Sequence, residues 1–575
     1  MHIAHVEVGV VRHRNTGGFR ASWSPGLVEP ETVALAVRDG NRERDRGLGC
    51  RRVPGPGSRA ICPEAGRAPL EGQGPLRKWS GLASGSNGCR KSTAGRSARG
   101  LPVWDALGKK CERTWQRESG RITERACRKG RGTEGIQMGK VGVVCVGVPW
   151  FDTETARSIT EAVISAVRSE FEVVADGDIV TCYRDAEKAM NMLRDPALDC
   201  VVLEVGTFPD GEAIQRLAAC TVPIVVHFVQ DSFQGGTVER NSQCGAGLTS
   251  YCLRAMNKRY LWTTGDVRDP AGQEALLHSV RSAAALGALR RLRIGAIGRY
   301  PPGFLPSAVD DGELQRLLGV TISDISIAAV VRALDTDPAP EAVPVPRQGQ
   351  ILKAFHGGQL PEEVRHGIER WFRALSSVMK SSGIAVFAIK DWPELLGDMN
   401  VPGLWPCLGW LQDSGFIVAP EGDLNAALTM AVASSWTQAP TFLADVVGKD
   451  EHDGTLTLWH YGCAESLARD PGGIRYLEDG HDVEFTLKQG RGILFRLGRN
   501  GQGYRALSVP VEVVPEPVRL RRAACKVRPI GASASEVLEA LLNEGWDHHV
   551  CLVYGEVERE AAAFARCAGF TLSEM

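Results

Sequence analysis

An eight-residue apolar run, VGVVCVGV at 141–148, constrains the fold of this chain more than any other feature. A strand with no polar alternation must be covered on both faces, and sheets covered on both faces are parallel ones with helices packed above and below. The residues that follow agree. Thr153 to Arg168 places Ala156, Ile159, Ala162, Val163 and Ala166 at helical spacing. Strand-like runs recur at 171–177, 200–206, 222–229 and 292–297, with helical segments at 185–195, 211–219 and 271–290 between them. Strands alternating with helices predict a doubly wound parallel sheet over 138–295. A second such unit is expected over 296–465, with a strand at 383–389, helices at 361–381 and 423–435, and a Pro-rich acidic loop from Asp335 to Pro346. After about 470 the period changes to two, in runs such as Val483 to Leu487, Gly492 to Leu497, Tyr504 to Val509 and Val511 to Val514, with a turn at Asn500-Gly501. The expected fold is α/β: two doubly wound parallel-sheet domains, then a β-rich, barrel-like C-terminal domain over 466–575. A helix at 533–544 and a strand opened by His548-His549 close it.

The N-terminal 137 residues are a different kind of sequence. They carry 26 Lys and Arg against 13 Asp and Glu, whereas the rest of the chain carries 41 against 55. Arg, Gly, Ser and Pro dominate them, as in CRKSTAGRSARG at 89–100, and no period is sustained. They read as a disordered basic extension or as a mis-called start, with Met138 as the expected biological beginning. A basic arm could bind nucleic acid through phosphates, but no helix-turn-helix, zinc knuckle or aromatic-rich groove accompanies it, so that role is disfavoured. Eleven of the 16 cysteines follow Met138, without CxxC spacing and in apolar contexts such as Val144-Cys145-Val146. Buried reduced thiols in a cytoplasmic protein are the expectation. No run of 18 apolar residues appears, so no membrane span is expected.

Three polar residues interrupt or end apolar strands near the C-terminus: Glu421 in FIVAPEGD, Asp445 in TFLADVV and His549 in GWDHHVCLVYG. A charge in such a place is costly unless paired or bound to a metal. Two carboxylates and an imidazole suit an open divalent site, Mn²⁺ in particular, better than a closed zinc site. Taken singly, each has a plainer account: Asp445 could cap or pair with a base, and His549 could be a core histidine. Asp423 is explained as a helix N-cap, and Glu421 is not. Lys390, Asp391 and Trp392 follow the strand GIAVFAI, at the ligand-facing end of a sheet, where a Lys and an indole could hold an anion or a sugar face. A salt bridge and a packed Trp are the commoner outcome. His460 in LTLWHYG and Trp150 in the loop after the first strand are further candidates for substrate contact, with Asp152 as either a site residue or a helix cap. GAIGRYPPGF has glycines after a strand but not the spacing of a dinucleotide loop.

From Met138 onward, the motifs GRYPPGF, IKDWPEL, APEGDLNAALTM, PTFLADVV, LWHYG and GWDHHVCLVYGEV resemble those of the L-fucose isomerase/L-arabinose isomerase-like proteins, in their order and spacing. The resemblance implies Mn²⁺-dependent aldose–ketose interconversion. Glu421, Asp445 and His549 match the family's metal ligands, and His548 competes with His549. It also implies a homo-oligomer in which the first α/β domain completes a neighbour's site, so that Trp150 and Asp152 would act across an interface. The chain departs from the family pattern at Asp391, Pro420 and Tyr461, which places the identity of the sugar in question. An acid at 391 would disfavour an anionic substrate if it faced the pocket.

The expected chemistry moves a proton between two sugar carbons, with Glu421 and Asp445 as exchanging base and acid and His549 holding the metal. A hydride shift is the rival route. A non-catalytic sugar-binding or regulatory protein on the same scaffold is the rival function.

Overall fold

The computed structural model describes residues 138–232, 236–336, 362–399, 401–477, 480–516, 518 and 520–575. The expectations for residues 1–137, and for all but the first two residues of the loop at 335–346, lie outside these.

The apolar run forms β1 (Lys140–Val146), followed by α1 (Thr153–Arg168), β2 (Glu172–Val174), β3 (Ile179–Val180), α2 (Tyr183–Met192), β4 (Leu198–Val205), α3 (Gly211–Leu217), β5 (Ile224–Phe228), α4 (Ser242–Ala255), β6 (Tyr260–Thr264) and α5 (Pro270–Ala288). The strands form a parallel sheet in the order β2-β1-β4-β5-β6, with β3 also on β1. Val141, Val143, Cys200 and Val202 face one hydrophobic cluster, and Val144, Val146, Val201 and Leu203 face another. Both faces are therefore covered, which is why these strands show no polar alternation.

The second parallel sheet contains β7 (Arg293–Ile297), β8 (Thr321–Ile325), β9 (Val386–Ile389) and β10 (Ile417–Ala419), in the order β10-β9-β7-β8. Between them run α6 (Asp311–Leu318), α7 (Ile327–Thr336), α8 (Glu362–Ser382) and α9 (Leu404–Asp413). The helix α10 (Leu424–Thr437) follows β10 and is buried almost all round. A helix without a polar face is a core helix, and α10 packs into the cluster shared with the first sheet.

The third sheet is mixed. It holds β11 (Phe442–Asp450), β12 (Thr455–His460), β13 (Arg475–Tyr476), β14 (Val483–Thr486), β15 (Gly490–Asn500), β16 (Gly503–Val513), β17 (Ala523–Pro529), β18 (His549–Tyr554) and β19 (Thr571–Glu574), with α11 (Ala534–Asn543) before β18 and α12 (Glu558–Ala568) after it. Pairings β17–β12–β11–β18–β15–β16 return to β17, so six strands close a ring. Asn500 pairs with Gly503 across the expected tight turn. The two short runs expected at 504–509 and 511–514 are instead one strand, β16, which continues through Pro510.

Sheet membership differs from the expected boundaries at two places. β7 starts at Arg293 and belongs wholly to the second sheet, so a division at 295/296 would cut it. β11 and β12 belong to the third sheet, so Asp445 sits on the mixed sheet and not within the second parallel unit of 296–465. A strand after a helix reads as another βαβ repeat, and only its antiparallel pairing with β18 shows otherwise.

Candidate metal and active site

The site forms where the loop after β10 meets the open ends of β11, β12 and β18. Antiparallel pairing sets Asp445 directly opposite His549. His549 Nε2 lies 3.5 Å from Asp445 Oδ1 and 3.4 Å from Glu421 Oε2. Such separations are those of two donors sharing one ion bound at about 2.1 Å from each. His460 Nε2 joins the group: suitable ligand atoms of Glu421, His460 and His549 all lie within 4.8 Å of one another.

The hydrogen bonding around these atoms fits a metal. Glu421 Oε2, Asp445 Oδ1, His460 Nε2 and His549 Nε2 are all buried, and none has a hydrogen-bond partner among the described residues. Buried polar atoms are rarely left so, and they fall into two possible donor groups that share His549: Glu421 with His460 and His549, and Asp445 with His548 and His549. Each imidazole is also fixed in the tautomer a ligand needs. His549 Nδ1–H donates to Asp423 Oδ2 at 2.9 Å, and His460 Nδ1–H donates to the Tyr461 carbonyl at 2.9 Å. Both Nε2 lone pairs are thereby directed into the site.

A buried ionic chain backs His549. Asp423 caps α10 by accepting from Ala426 N at 2.8 Å, and its other oxygen serves both His549 and Arg496. Arg496 also pairs with Asp547, whose Oδ1 accepts the His549 backbone N–H at 2.8 Å. Burial would lower the Arg496 pKa, but Asp423 and Asp547 outweigh it and raise it.

Glu421 occupies a left-handed backbone conformation, φ 58°, uncommon for a residue with a side chain. Three contacts hold it there. Its N–H donates to Asp391 Oδ1 at 2.9 Å, the Tyr461 hydroxyl donates to its Oε1 at 2.9 Å, and the next residue is a glycine packed on the GRYPPGF loop. A Cβ at Gly422 would sit 1.8 Å from the Arg299 carbonyl oxygen. Tyr461 in turn stacks on Trp405, with centroids 4.1 Å apart.

Charges in the site are strongly biased. Burial pushes the Glu421 carboxyl up, but the neighbouring imidazoles, His548 foremost, and the Tyr461 hydroxyl prevail and bring it down to about 2. Burial raises Asp445, against the opposing pull of His549 and His548. Burial, then the charge of His549, drops His460 to about 3, which keeps it neutral. His548 is pushed up to about 10 by its pairing with Asp547, and then by the nearby Glu421 carboxylate.

The structure thus brings Glu421 and His460 to His549 on one side and Asp445 and His548 to it on the other. His549 is only 1% exposed and points inward, whereas His548 is 46% exposed and lies at the rim. There His548 meets the Phe304 ring edge-on at 5.9 Å, and Phe304 meets Trp392 at 5.0 Å. Lys390 is not free for a ligand: its Nζ pairs with Glu394 Oε1 at 2.6 Å. Asp391 is fully buried and takes the Trp405 indole N–H at 2.8 Å as well as the Glu421 N–H. Burial and the Glu421 charge push it up to about 6. Trp150 lies at the end of β1, 77% exposed, and Asp152 caps α1 through Glu154 N and Thr155 N.

Sequence reasoning missed Tyr461 as the partner of Glu421 and the Asp423–Arg496–Asp547 chain. Arg496 carried a signal, being the one charge inside the apolar run Ile493 to Leu497.

Residues 142–289 match a family model described as Fucose/sulfoquinovose isomerase, N-terminal domain. A sulfoquinovose isomerase of Alkalicoccus urumqiensis is 27% identical over 435 residues, covering 74% of this chain and 97% of that protein. One of Priestia aryabhattai is 26% identical over 449 residues, covering 75% and 98%. An L-arabinose isomerase of Mycolicibacterium smegmatis is 25% identical over 333 residues, covering 54% and 65%. Together these bear out the likeness carried by the motifs. The chain is similar to the fucose/arabinose isomerase-like proteins.

Arg496→Met would leave Asp423 and Asp547 facing each other without their cation. Urea denaturation should show a loss of about 3–5 kcal/mol, together with weaker metal binding as His549 loses its fixed orientation.

Proposed function

We propose that this chain, an aldose–ketose isomerase by kinship, uses a divalent cation to interconvert a sulfonated aldose and its ketose. Sulfoquinovose is the substrate named for the relatives of greatest coverage. The observation that carries the reading is the set of four buried, unpartnered donor atoms on Glu421, Asp445, His460 and His549. Those residues would hold the ion. His460, expected from the sequence to contact substrate, is reassigned here as a ligand because its Nε2 lies within the donor group.

When bound, a cation such as Mn²⁺ would stabilise the negative charge that develops on the two adjacent sugar oxygens. Glu421 and Asp445 carry the proton transfers. Glu421, held ionised and steadied at Oε1 by Tyr461, takes the proton from C2 and returns it to C1. Asp445, whose carboxyl burial raises, serves the exchange between O1 and O2. Two carboxylates with pKa values driven apart are suited to such a division of work. The rim supplies recognition. His548 is cationic and faces solvent beside Phe304 and Trp392, so it can pair with a sulfonate while the aromatic edges cover the sugar face. Asp391, spent on Glu421 and Trp405, does not repel that anion. Trp150 is assigned to a neighbouring subunit's site in a homo-oligomer, which its exposure permits.

Chelation should abolish sulfoquinovose turnover and Mn²⁺ should restore it. Glu421→Gln should lower kcat by roughly 10²–10⁴ with an unchanged circular dichroism spectrum, and near-normal turnover would refute the assignment. In D₂O the product should carry solvent deuterium at the transferred position; its absence would favour a hydride shift. His548→Gln should raise KM for sulfoquinovose about tenfold or more, the scale of one charge-assisted hydrogen bond. An unchanged KM would remove His548 from substrate recognition.

A further inference from the structure

A second feature lies away from the Glu421 site. A cavity of about 420 Å³ opens between the first and second parallel sheets. The C-terminal ends of α4, α5 and α6 border it. Four basic side chains line it: Lys258, Arg259, Arg290 and Arg316. No acidic and no aromatic residue is among the lining.

The plainest account is that these bases cap helix carbonyls, and in part they do. Lys258 Nζ donates to the Cys220 carbonyl, Arg259 Nη1 to that of Leu317 at 2.9 Å, and Arg290 to those of Gly287 at 3.1 Å and Leu198 at 2.7 Å and to the Thr221 hydroxyl at 3.0 Å, which leaves that hydroxyl its own proton to donate. The charge balance shows what capping leaves over. Three helix C-termini offer about −0.5 each, roughly −1.5 in all, against four full positive charges. No carboxylate closes the difference. Asp199, whose charge acts on Arg290, is itself paired with Arg291 at 2.5 Å. Arg316 has neither hydrogen bond nor ion pair among the described residues. Burial lowers the pKa of Arg259 against the opposing pull of Cys567, with a smaller contribution from the like charge of Arg316, and burial also lowers that of Arg290. An oxyanion placed here would relieve both.

The remaining lining narrows the ligand. Thr221, Asn257 and Gln315 offer hydroxyl and amide groups suited to sugar hydroxyls. Without an aromatic platform the cavity gives a nucleobase nothing to stack on. Its back wall is fixed, because Gly319 at the end of α6 is left-handed (φ 76°) and a Cβ there would sit 2.8 Å from the Arg290 Cα.

We propose that this cavity binds a phosphorylated or sulfonated sugar, with Arg259, Arg290 and Arg316 on its oxyanion and Thr221, Asn257 and Gln315 on its hydroxyls. The site lies at the opposite, strand-start side of the first sheet from the loop that carries Trp150, and it is bordered by elements of both parallel sheets. A bound sugar would therefore bridge them.

Isothermal titration of the metal-loaded full chain tests this with glucose 6-phosphate, sulfoquinovose and glucose, at an ionic strength held constant with KCl. Glucose 6-phosphate should bind and glucose should not. Arg316→Glu and, separately, Gln315→Glu should weaken glucose 6-phosphate roughly tenfold or more. Both side chains are exposed and remote from Glu421, so circular dichroism and isomerase turnover should match the wild type and report that the variants fold. A second sulfoquinovose event that Arg316→Glu weakens would extend the site to sulfonates, and its absence beside a sensitive glucose 6-phosphate event would assign it to phosphates. Failure of glucose 6-phosphate to bind, equal binding of glucose, or binding unmoved by both variants would overturn the proposal. The readout is binding rather than turnover, so this result stands apart from the isomerase reading.

Discussion

Everything at the Glu421 site depends on the register between β11 and β18. Cross-strand partners bring their Cβ atoms to about 4.5–5.5 Å, so pairing Asp445 with His549 creates half of a donor set without any loop. A slip of one residue would turn His549 to the other face of the sheet and bring His548 in its place. The apolar neighbours prevent that slip. Val550 and Leu552 face one core cluster while Cys551 and Val553 face the other, so both faces of β18 are already committed. The buried Asp423–Arg496–Asp547 chain then sets the angle of the imidazole. Core packing chooses the strand face, and ionic bonding chooses the ring orientation.

The other half of the donor set is held against a backbone preference. A left-handed non-glycine residue costs of order 1–3 kcal/mol, and the fold meets that cost at Glu421 through Asp391, Tyr461 and the close approach of Gly422 to Arg299. This gives a physical reason for two of the departures from the family pattern. Asp391 and Tyr461 both bond to Glu421. One accepts the N–H of Glu421 and the other donates to its carboxylate, and Trp405 joins them by bonding the first and stacking on the second.

Much of this was legible in the sequence, for reasons that can be named. The uniform apolar strands announced parallel sheets because burial on both faces leaves no room for polar alternation. Thr153–Arg168 was readable as a helix to the residue because Asp152 caps it and its apolar spacing is regular. Glu421, Asp445 and His549 stood out as polar residues among apolar ones. What stayed hidden were matters of pairing and partnership. β11 follows a helix as a parallel strand would, and only its hydrogen bonds to β12 and β18 place Asp445 on the mixed sheet. A salt bridge was the commoner expectation for Lys390, but not that Glu394, four residues on, would be its partner. His460 looked like a substrate contact because nothing local shows that Tyr461's carbonyl fixes its tautomer.

The donor set is divided between layers, Glu421 reaching in from the edge of a parallel sheet and Asp445, His460 and His549 standing on the mixed one. An ion gripped by both would behave as a rivet between two plates. Its affinity would gauge how firmly the plates are seated, and prising them apart by a fraction of an ångström would release it long before either sheet lost a strand. Remote strain that tilts the second sheet would then reach the chemistry through coordination distance alone, with no catalytic side chain changing its own rotamer.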